Sequence, residues 1–410
     1  MPEIDFSRKS AVVGVCGGIA AYKSVELVRL LKKLGMQVRV IQTRNATRFV
    51  GPITFEALTG LPVFEDLFSG SDREAIRHID WARSADVIVV APATANIIGK
   101  LAGGIADDAL STFLLAAACP TLICPSMNSQ MYLHPAVQEN LHTLRRFGYT
   151  IVEPEAGELA CGTSGPGRLP EPADILEEVV AALSPKDLEG KRLLISAGPT
   201  REHFDPVRFI SNPSTGKMGF ALARAARHRG ADVTLVSGPT HLQPPKRVRS
   251  IPVVSALEMA DAVFEGASSA DVVIMTAAVS DYRSVSQAEQ KIKKGPSGIT
   301  LELIKNPDIL KSLGERKRPG QILVGFAAET EHLKTHATQK LREKRLDLIV
   351  GNIVGQADSG FASETNRVSI FDPSGNVETL PLMEKQALAH HILDRVVRIC
   401  RSSGDRTDHP

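Results

Sequence analysis

Apolar residues along this chain come in short runs separated by stretches with the 3–4-residue period of an amphipathic helix, the pattern of strands alternating with helices. Residues 11–15 read as a strand, followed by a Gly-rich turn and a helix over 20–34 that Gly35 closes. Further strands are predicted at 38–41, at 85–90 (ending in Ala91-Pro92-Ala93-Thr94) and at 121–124 before Pro125, with helical segments between. The plan then recurs. A strand at 192–195 leads through a long loop to a helix over 218–229 with Gly230 past its end; further strands are predicted at 233–236, 271–276, 322–326 and 348–352. Residues 368–371 and 377–380, joined by Asp372-Pro-Ser-Gly375, read as a hairpin. The segments KLGMQVRVIQT and HRGADVTLVSG match in pattern, as do SADVIVVAPAT and SADVVIMTAAV. The chain is therefore expected to be α/β, with two Rossmann-like, doubly wound parallel-sheet domains. The boundaries predicted are 1–184, a linker at 185–190, 191–400, and a frayed tail over 401–410.

Composition narrows the partners. At 410 residues, 43% hydrophobic, 23% charged and with a net charge of +2, the chain gives no reason to expect nucleic acid. Its five cysteines form no CxxC pair and no zinc spacing, which fits a reducing cytoplasm. Residues 1–10 are too polar for a signal peptide, and the apolar run at 109–124 is too interrupted for a membrane span.

The first turn does not suit a nicotinamide dinucleotide. Its glycines run G-x-x-G-G, and Thr43-Arg44 stands where a ribose-binding carboxylate belongs. Gly17, Gly18, Thr43, Thr94, Ser111 and Thr112 instead offer amides and hydroxyls at strand ends, suited to one phosphate and a polyol as in FMN; ordinary turn and cap residues would look the same. Three positions stand out: His78 in IRHIDWAR, Asn128 in PSMNSQMY, and Cys161 in the glycine-rich LACGTSGPGRLPEP. Alone, each has a bland reading, since a free Cys is more often buried apolar filling than chemistry. In the second half, the loop ISAGPTREHFDPVRFISNPSTGKMG runs from a strand end to a helix N-terminus, a place where anions are held. It is no P-loop: Met218 follows Gly216-Lys217, and Ser211 occupies the first glycine position. KIKK, opening at Lys291, reads alone as a solvated charge run, but it follows the strand-end loop AAVSDYR.

Together, His78, the PxMNxxM segment and ACGxxGxGR resemble the flavin-dependent cysteine decarboxylases. With the second half, nearly the whole chain resembles the bifunctional coenzyme A biosynthesis family, in which phosphopantothenoylcysteine decarboxylase is fused to phosphopantothenate–cysteine ligase. Tyr132 stands where that motif often has Trp, and Leu169 where Met is common; both keep size and apolar character.

The resemblance implies a flavodoxin-like N-terminal domain holding FMN at Gly17, Gly18, Ile19, Thr43, Ala93, Thr94, Ser111, Thr112 and Met127. It implies a redox-neutral decarboxylation, with the cysteinyl CH2–SH oxidised to a thioaldehyde, CO2 lost to an enethiolate, and the electrons then returned. His78 would act as base or carboxylate orienter, Asn128 would hold the carboxylate, and Cys161 would donate the final proton. For the second half it implies that CTP, with Mg2+, activates the carboxylate of 4'-phosphopantothenate as an acyl-cytidylate, from which the amine of L-cysteine displaces CMP. Asn212, Arg208 and Lys291 would then serve the reacting centre. Met275, Thr276, Ala277, Asp281, Lys291, Pro307, Asp308, Ile309, Leu310, Phe326, Lys340 and Lys344 would line the nucleotide site, Asp281 being the candidate Mg2+ ligand. The resemblance also implies a homo-oligomer, with trimeric flavin domains and dimeric ligase domains, up to a dodecamer.

Two other readings are weighed: a peptidyl-cysteine decarboxylase with an assembly module, and a non-catalytic flavin-binding regulator. The density of anion-binding residues in the second half disfavours the first, and the presence of His78, Asn128 and Cys161 together disfavours the second.

Overall fold

The computed structural model describes residues 5–66, 77–158, 162, 164–293, 299–329, 331–353 and 363–404, with the side chains of 77–79, 353 and 403–404 excepted. The chain divides into two compact units, 2–184 and 185–410.

In the first unit the elements run β1 (Ser10–Val15), α1 (Ala21–Lys33), β2 (Gln37–Gln42), α2 (Pro52–Thr59), α3 (Arg77–Ser84), β3 (Val87–Ala93), α4 (Ala95–Ala102), α5 (Ala109–Ala116), β4 (Thr121–Pro125), α6 (Ser129–Leu133), α7 (Pro135–Arg146) and β5 (Thr150–Ile151). A hairpin of β6 (Glu155–Glu158) and β7 (Ser164–Arg168) follows, then α8 (Pro172–Leu183). The sheet order is β2-β1-β3-β4-β5, and every pair is parallel. This is the 2-1-3-4-5 winding of flavodoxin-like folds, with its switch point between β1 and β3.

Burial explains why the strands read as continuous apolar runs. In β3, Val87 and Val89 enter one core while Ile88 and Val90 enter the other, so both pleat faces need apolar side chains. Each such buried Val or Ile contributes about 1.5–3 kcal/mol. Helix α1 supplies the matching stripe: Ala21, Ser24, Leu27, Val28 and Leu31 are buried, while Lys32 and Lys33 sit in its last turn, where the helix dipole favours cations.

In the second unit, β8 (Arg192–Ala197) leads through the pair β9 (Arg201–His203) and β10 (Phe209–Ser211) into α9 (Lys217–His228). Then come β11 (Asp232–Ser237), β12 (Arg249–Pro252), α10 (Ala256–Ala267), β13 (Val272–Met275), the antiparallel pair β14 (Tyr282–Ser284) and β15 (Leu303–Lys305), α11 (Ile309–Glu315), β16 (Ile322–Glu329), α12 (Leu333–Glu343) and β17 (Leu348–Ile353). The chain ends with β18 (Thr365–Asn366), β19 (Val368–Phe371), β20 (Val377–Thr379), β21 (Met383–Glu384) and α13 (Lys385–Gly404). The eight-stranded sheet runs β12-β11-β8-β13-β16-β17-β19-β20. Its first six strands are parallel, in the 3-2-1-4-5-6 dinucleotide-fold order, with the switch point between β8 and β13. The hairpin of β19 and β20 continues the sheet antiparallel.

The stretch predicted as a linker is packed rather than loose. Leu188 is fully buried in the core of the second unit. Asp187 binds Arg229 through both carboxylate oxygens, at 2.8 and 2.6 Å. Arg229, only 2% exposed, also pairs with Asp394 of α13 at 2.8 Å. Likewise α13 runs to Gly404, into the stretch expected to fray. Beside this cluster, burial pushes His390 down to about 4, with the charge of Arg229 adding to the effect.

Two outcomes follow. Arg229→Ala removes the buried cation shared by Asp187 and Asp394 and should lower the unfolding free energy by about 3–5 kcal/mol in urea titration. His390 is neutral when folded and takes up its proton near pH 6.5 when unfolded. Its contribution is therefore complete above pH 6.5, and about 3 kcal/mol is lost as pH falls towards 4; His390→Leu should flatten that slope.

Candidate functional sites

In each unit, loops gather at the carboxyl ends of the parallel strands. In the first, the turn after β1 is held by Cys16 N–H donating to Pro92 O at 3.3 Å and by Thr43 N–H donating to Val15 O at 3.0 Å. Gly17 must be glycine, because a Cβ there would meet Asn45 Cβ at 2.4 Å. Cys16 is buried and its thiol is pushed up to about 12, so it is no nucleophile. Thr94 occupies the N-cap of α4 without bonding the helix through its hydroxyl. Ala93 is fully buried, whereas Ile19 is 62% exposed. Ser111 is committed elsewhere: its hydroxyl and the Asp108 carboxylate form a capping box on α5. Its neighbour Thr112 carries a buried Oγ1 with no partner among the described residues.

After β4, Met127 N–H donates to Gly167 O at 3.0 Å, which ties this loop to the hairpin of β6 and β7. Asn128 Oδ1 accepts the Gln130 N–H at 2.8 Å, fixing the amide plane at the start of α6. Tyr132 fills its place by burial and bonds Glu153 at 2.7 Å; burial and that carboxylate raise its hydroxyl to about 12. The glycine-rich segment is more ordered than its composition suggests, since Ser164–Arg168 is a strand of the hairpin. Helix α3, which holds His78, leads directly into β3, so its first turn belongs to the same unit as this turn and loop. The His78 side chain and the whole of Cys161 lie outside the described residues.

In the second unit two cavities adjoin across Ala277, Val279 and Phe326. One, of about 420 Å3, is lined by Met275, Asp281, Pro307 to Leu310 and Lys344, as well as by Ser280, Lys305 and Asn306, which sequence reasoning missed. The small pair β14 and β15 builds its wall. Arg283 Nη1 donates to Lys305 O at 2.9 Å and to Asn306 Oδ1 at 3.0 Å, and Asn306 Nδ2 donates to Ser280 O at 2.8 Å. Ser280 Oγ is buried without a partner among the described residues. Asp308 caps α11 and pairs with Lys344 at 2.7 Å. Burial would raise its pKa, but Lys344 and the Lys311 N–H outweigh that and hold it below the ordinary carboxylate range.

The other cavity, of about 400 Å3, is lined by Asn212, Ser214, Thr276 and the first turn of α9. It also takes in Asn352, Asn366 and Lys385, which no local motif would have flagged. Asn212 Nδ2 donates to Ala278 O at 3.0 Å. Helix α9 starts hard against the strand ends: a Cβ on Gly219 would lie 2.5 Å from both Ala197 Cβ and Thr276 Oγ1.

Three predicted residues stand outside both linings. Lys340 pairs with Glu329 at 2.6 Å, Arg208 lies 3.5 Å from Asp205, and Lys291 is exposed. Among the described residues no group of three His, Cys, Asp or Glu is placed to hold a metal ion.

Fold and sites together define a fused pair of doubly wound α/β domains, each with its ligand face at a winding reversal. The family model described as Flavoprotein matches residues 3–184, and that described as DNA/pantothenate metabolism flavoprotein C-terminal domain matches 188–399. The coenzyme A biosynthesis bifunctional protein CoaBC of Bacillus subtilis is 48% identical over 405 residues, covering 98% of this chain and 100% of that protein. Its counterpart in Vibrio cholerae is 47% identical over 387 residues, covering 94% and 97%. A crystal structure of the C-terminal domain of a CoaBC protein is 44% identical and covers 53% of this chain and 99% of that one, with a TM-score of 0.46. The chain belongs to the family of coenzyme A biosynthesis bifunctional proteins, CoaBC.

Gly219→Ala should lower the unfolding free energy by about 1–3 kcal/mol, because the added methyl must push α9 away from β8 and β13; urea titration reads the loss.

Proposed function

We propose that the second unit joins 4'-phosphopantothenate to L-cysteine at the expense of CTP, and that the first unit decarboxylates the product to 4'-phosphopantetheine. The observation that carries this reading is the pair of adjoining cavities, one at the β8/β13 switch point and the other beside it past the ends of β13 and β16, in a chain whose family unites two activities. Amide formation from a free acid needs both a nucleotide and an acid held side by side.

The cavity walled by Asn306 to Leu310 takes CTP, and the one beside Asn212 and α9 takes the acid. The carboxylate oxygen attacks the α-phosphorus and pyrophosphate leaves. The cysteine amine then attacks the acyl carbon, CMP leaves, and the amine gives up its proton. Lys291 stabilises charge growing on the α-phosphoryl oxygens, Arg208 offsets the nearby anions, and Asn212 holds the acyl group. Asp281, in the lining of the same cavity, would hold the Mg2+ of the triphosphate, which would neutralise phosphate charge there. Thr276 bounds the acid side, and Lys340 serves the triphosphate only after leaving Glu329.

The first unit fits FMN on two observations: the 2-1-3-4-5 strand order with a cramped glycine turn at its switch point, and the buried Thr112 hydroxyl, which has no partner among the described residues. Gly17, Gly18, Ile19, Thr43, Ala93, Thr94, Thr112 and Met127 would hold it; Ser111 would act through the first turn of α5 rather than its hydroxyl. Bound flavin supplies a reversible two-electron oxidation of the cysteinyl carbon–sulfur unit, which gives the departing CO2 an electron sink. Asn128 orients the substrate carboxylate, His78 acts as base or carboxylate orienter, and Cys161 returns a proton to carbon. A trimer of flavin units with the cofactor near the interface, with dimers of the ligase unit completing a dodecamer, would cover some of the exposed apolar side chains such as Ile19, Tyr22 and Ile53. The described cysteines are all free thiols, which supports a reducing cytoplasm.

Purified protein should be yellow. With 4'-phosphopantothenate, cysteine and Mg·CTP it should release pyrophosphate, CMP and CO2 and form 4'-phosphopantetheine by mass; failure of CTP-dependent pyrophosphate release defeats the ligase assignment. Asn212→Asp should abolish ligation while leaving decarboxylation of supplied phosphopantothenoylcysteine intact. Cys161→Ser should lose CO2 yet accumulate the product two hydrogens short, and normal turnover to phosphopantetheine would remove Cys161 from its role.

A further inference from the structure

Asp205 is a fully buried carboxylate at the tip of the β9–β10 turn. It lies outside both cavity linings, and no motif points to it. Its two oxygens face two different segments. Oδ1 accepts the backbone N–H groups of Val207 at 2.8 Å and Arg208 at 2.7 Å, which folds the turn. Oδ2 accepts the backbone N–H of Ile292 at 3.2 Å and faces the Arg208 guanidinium at 3.5 Å. A second tie runs beside it, from Ala288 N–H to Phe204 O at 3.0 Å. Residues 285–293 have no regular secondary structure and are mostly exposed, so little else locates them. The same hairpin reaches the acid cavity at its far end, where Ser211 Oγ donates to Thr200 O at 2.7 Å and Asn212 Nδ2 holds Ala278 O.

We infer that Asp205 is a positioning residue for the ligase reaction. One oxygen fixes, at the same point, the guanidinium of Arg208 and the backbone next to Lys291, so the two cations reach the reacting phosphoryl and carboxyl groups as a set. This rests on the reading of Arg208 and Lys291 given above. Burial alone would raise the pKa of Asp205; the three N–H donors and Arg208 more than offset that and keep it ionised. A neutral side chain could still close the turn, but it could not serve Oδ2's two partners. In Asp205→Asn the amide nitrogen would face two donors.

The test uses the full-length chain. Wild type must first show CTP-dependent ligation; its absence would defeat the underlying reading and not this inference. Given that activity, Asp205→Asn should lower kcat for ligation by about 10- to 100-fold, the scale of a 1 Å misplacement, with KM for CTP little changed. Decarboxylation of supplied phosphopantothenoylcysteine should be untouched, which reports an intact fold. The losses from Asp205→Asn and Lys291→Ala should not multiply in the double variant, because one acts through the other. Ile292→Pro removes the N–H that reaches Oδ2 and leaves the turn alone; it should reproduce the fall in kcat. Wild-type ligation by Asp205→Asn or by Ile292→Pro overturns the inference. So do losses that multiply, or a fall in kcat matched by equal loss of decarboxylation and of thermal stability.

Discussion

A parallel strand must hand its chain back over the sheet, and at one place in each unit the direction of that return reverses. Between β1 and β3, and again between β8 and β13, neighbouring crossovers diverge to opposite faces and leave a crevice at the carboxyl ends. What fills the crevice is set by how the backbone closes there. In the second unit the closure is a mesh of short bonds: Thr276 Oγ1 to Ser196 O at 2.5 Å, Ala278 N–H to Gly198 O at 2.9 Å, Ser280 N–H to Thr200 Oγ1 at 3.0 Å. Each spans the reversal, so the loops after β8 and β13 form one surface. One cavity opens on that surface, and the other adjoins it across Ala277, Val279 and Phe326.

The strands were legible because both faces of each central strand are buried. The predicted run at 271–276 became Val272–Met275, and the one at 322–326 became Ile322–Glu329, longer only where the pairing with β17 carries it on. The pairs β9/β10 and β14/β15 were not legible, although β14/β15 walls one cavity and β10 leads straight into Asn212, which lines the other. Leu303–Lys305 is only three residues long and exposed along its length, so no buried face marks it as a strand. It is a strand because Tyr282–Ser284 lies opposite, a tertiary fact that period and propensity do not contain. The linker failed for the converse reason. LSPKDLEG has the composition of loose chain, but Lys186, Asp187 and Leu188 anchor it to the second unit, and Asp187's partner, Arg229, is 42 residues away.

The wall of the cavity proposed for the nucleotide was legible where the residues are contiguous. Pro307 to Leu310 all line the cavity because Pro307 and the Asp308 cap turn the chain sharply into α11 at the strand ends. Charged residues on helices were harder. Lys340 and Lys344 sit four apart, the spacing of one helix face, but α12 ends at Glu343 with Lys344 as its C-cap, and of the two Lys344 alone lines the cavity. Spacing fixes the direction of a side chain; it does not say which neighbouring carboxylate will take the charge. Lys385, far along the chain from every other residue expected at this site, reaches the acid cavity only because α13 packs on α9.

Two of the lysines expected to serve a nucleotide already have carboxylate partners. Lys344 holds Asp308 and Lys340 holds Glu329, and both carboxylates lie below their ordinary range, chiefly because these lysines outweigh the effect of burial. Such pairs could be rigid struts or exchangeable contacts, and their exposure decides between the two. Asp308 is 46% exposed and Lys340 42%, so water competes for each. Ion pairs of that kind contribute about 0–1 kcal/mol. A triphosphate with its Mg2+ offers charge-assisted bonds of about 1.5–3 kcal/mol each, so giving up a carboxylate costs less than one phosphate contact returns. The Arg229 cluster is the opposite case: buried, bidentate, and too costly to open. The same chemical pair thus holds the fold where water is excluded and stands ready for exchange where it is not.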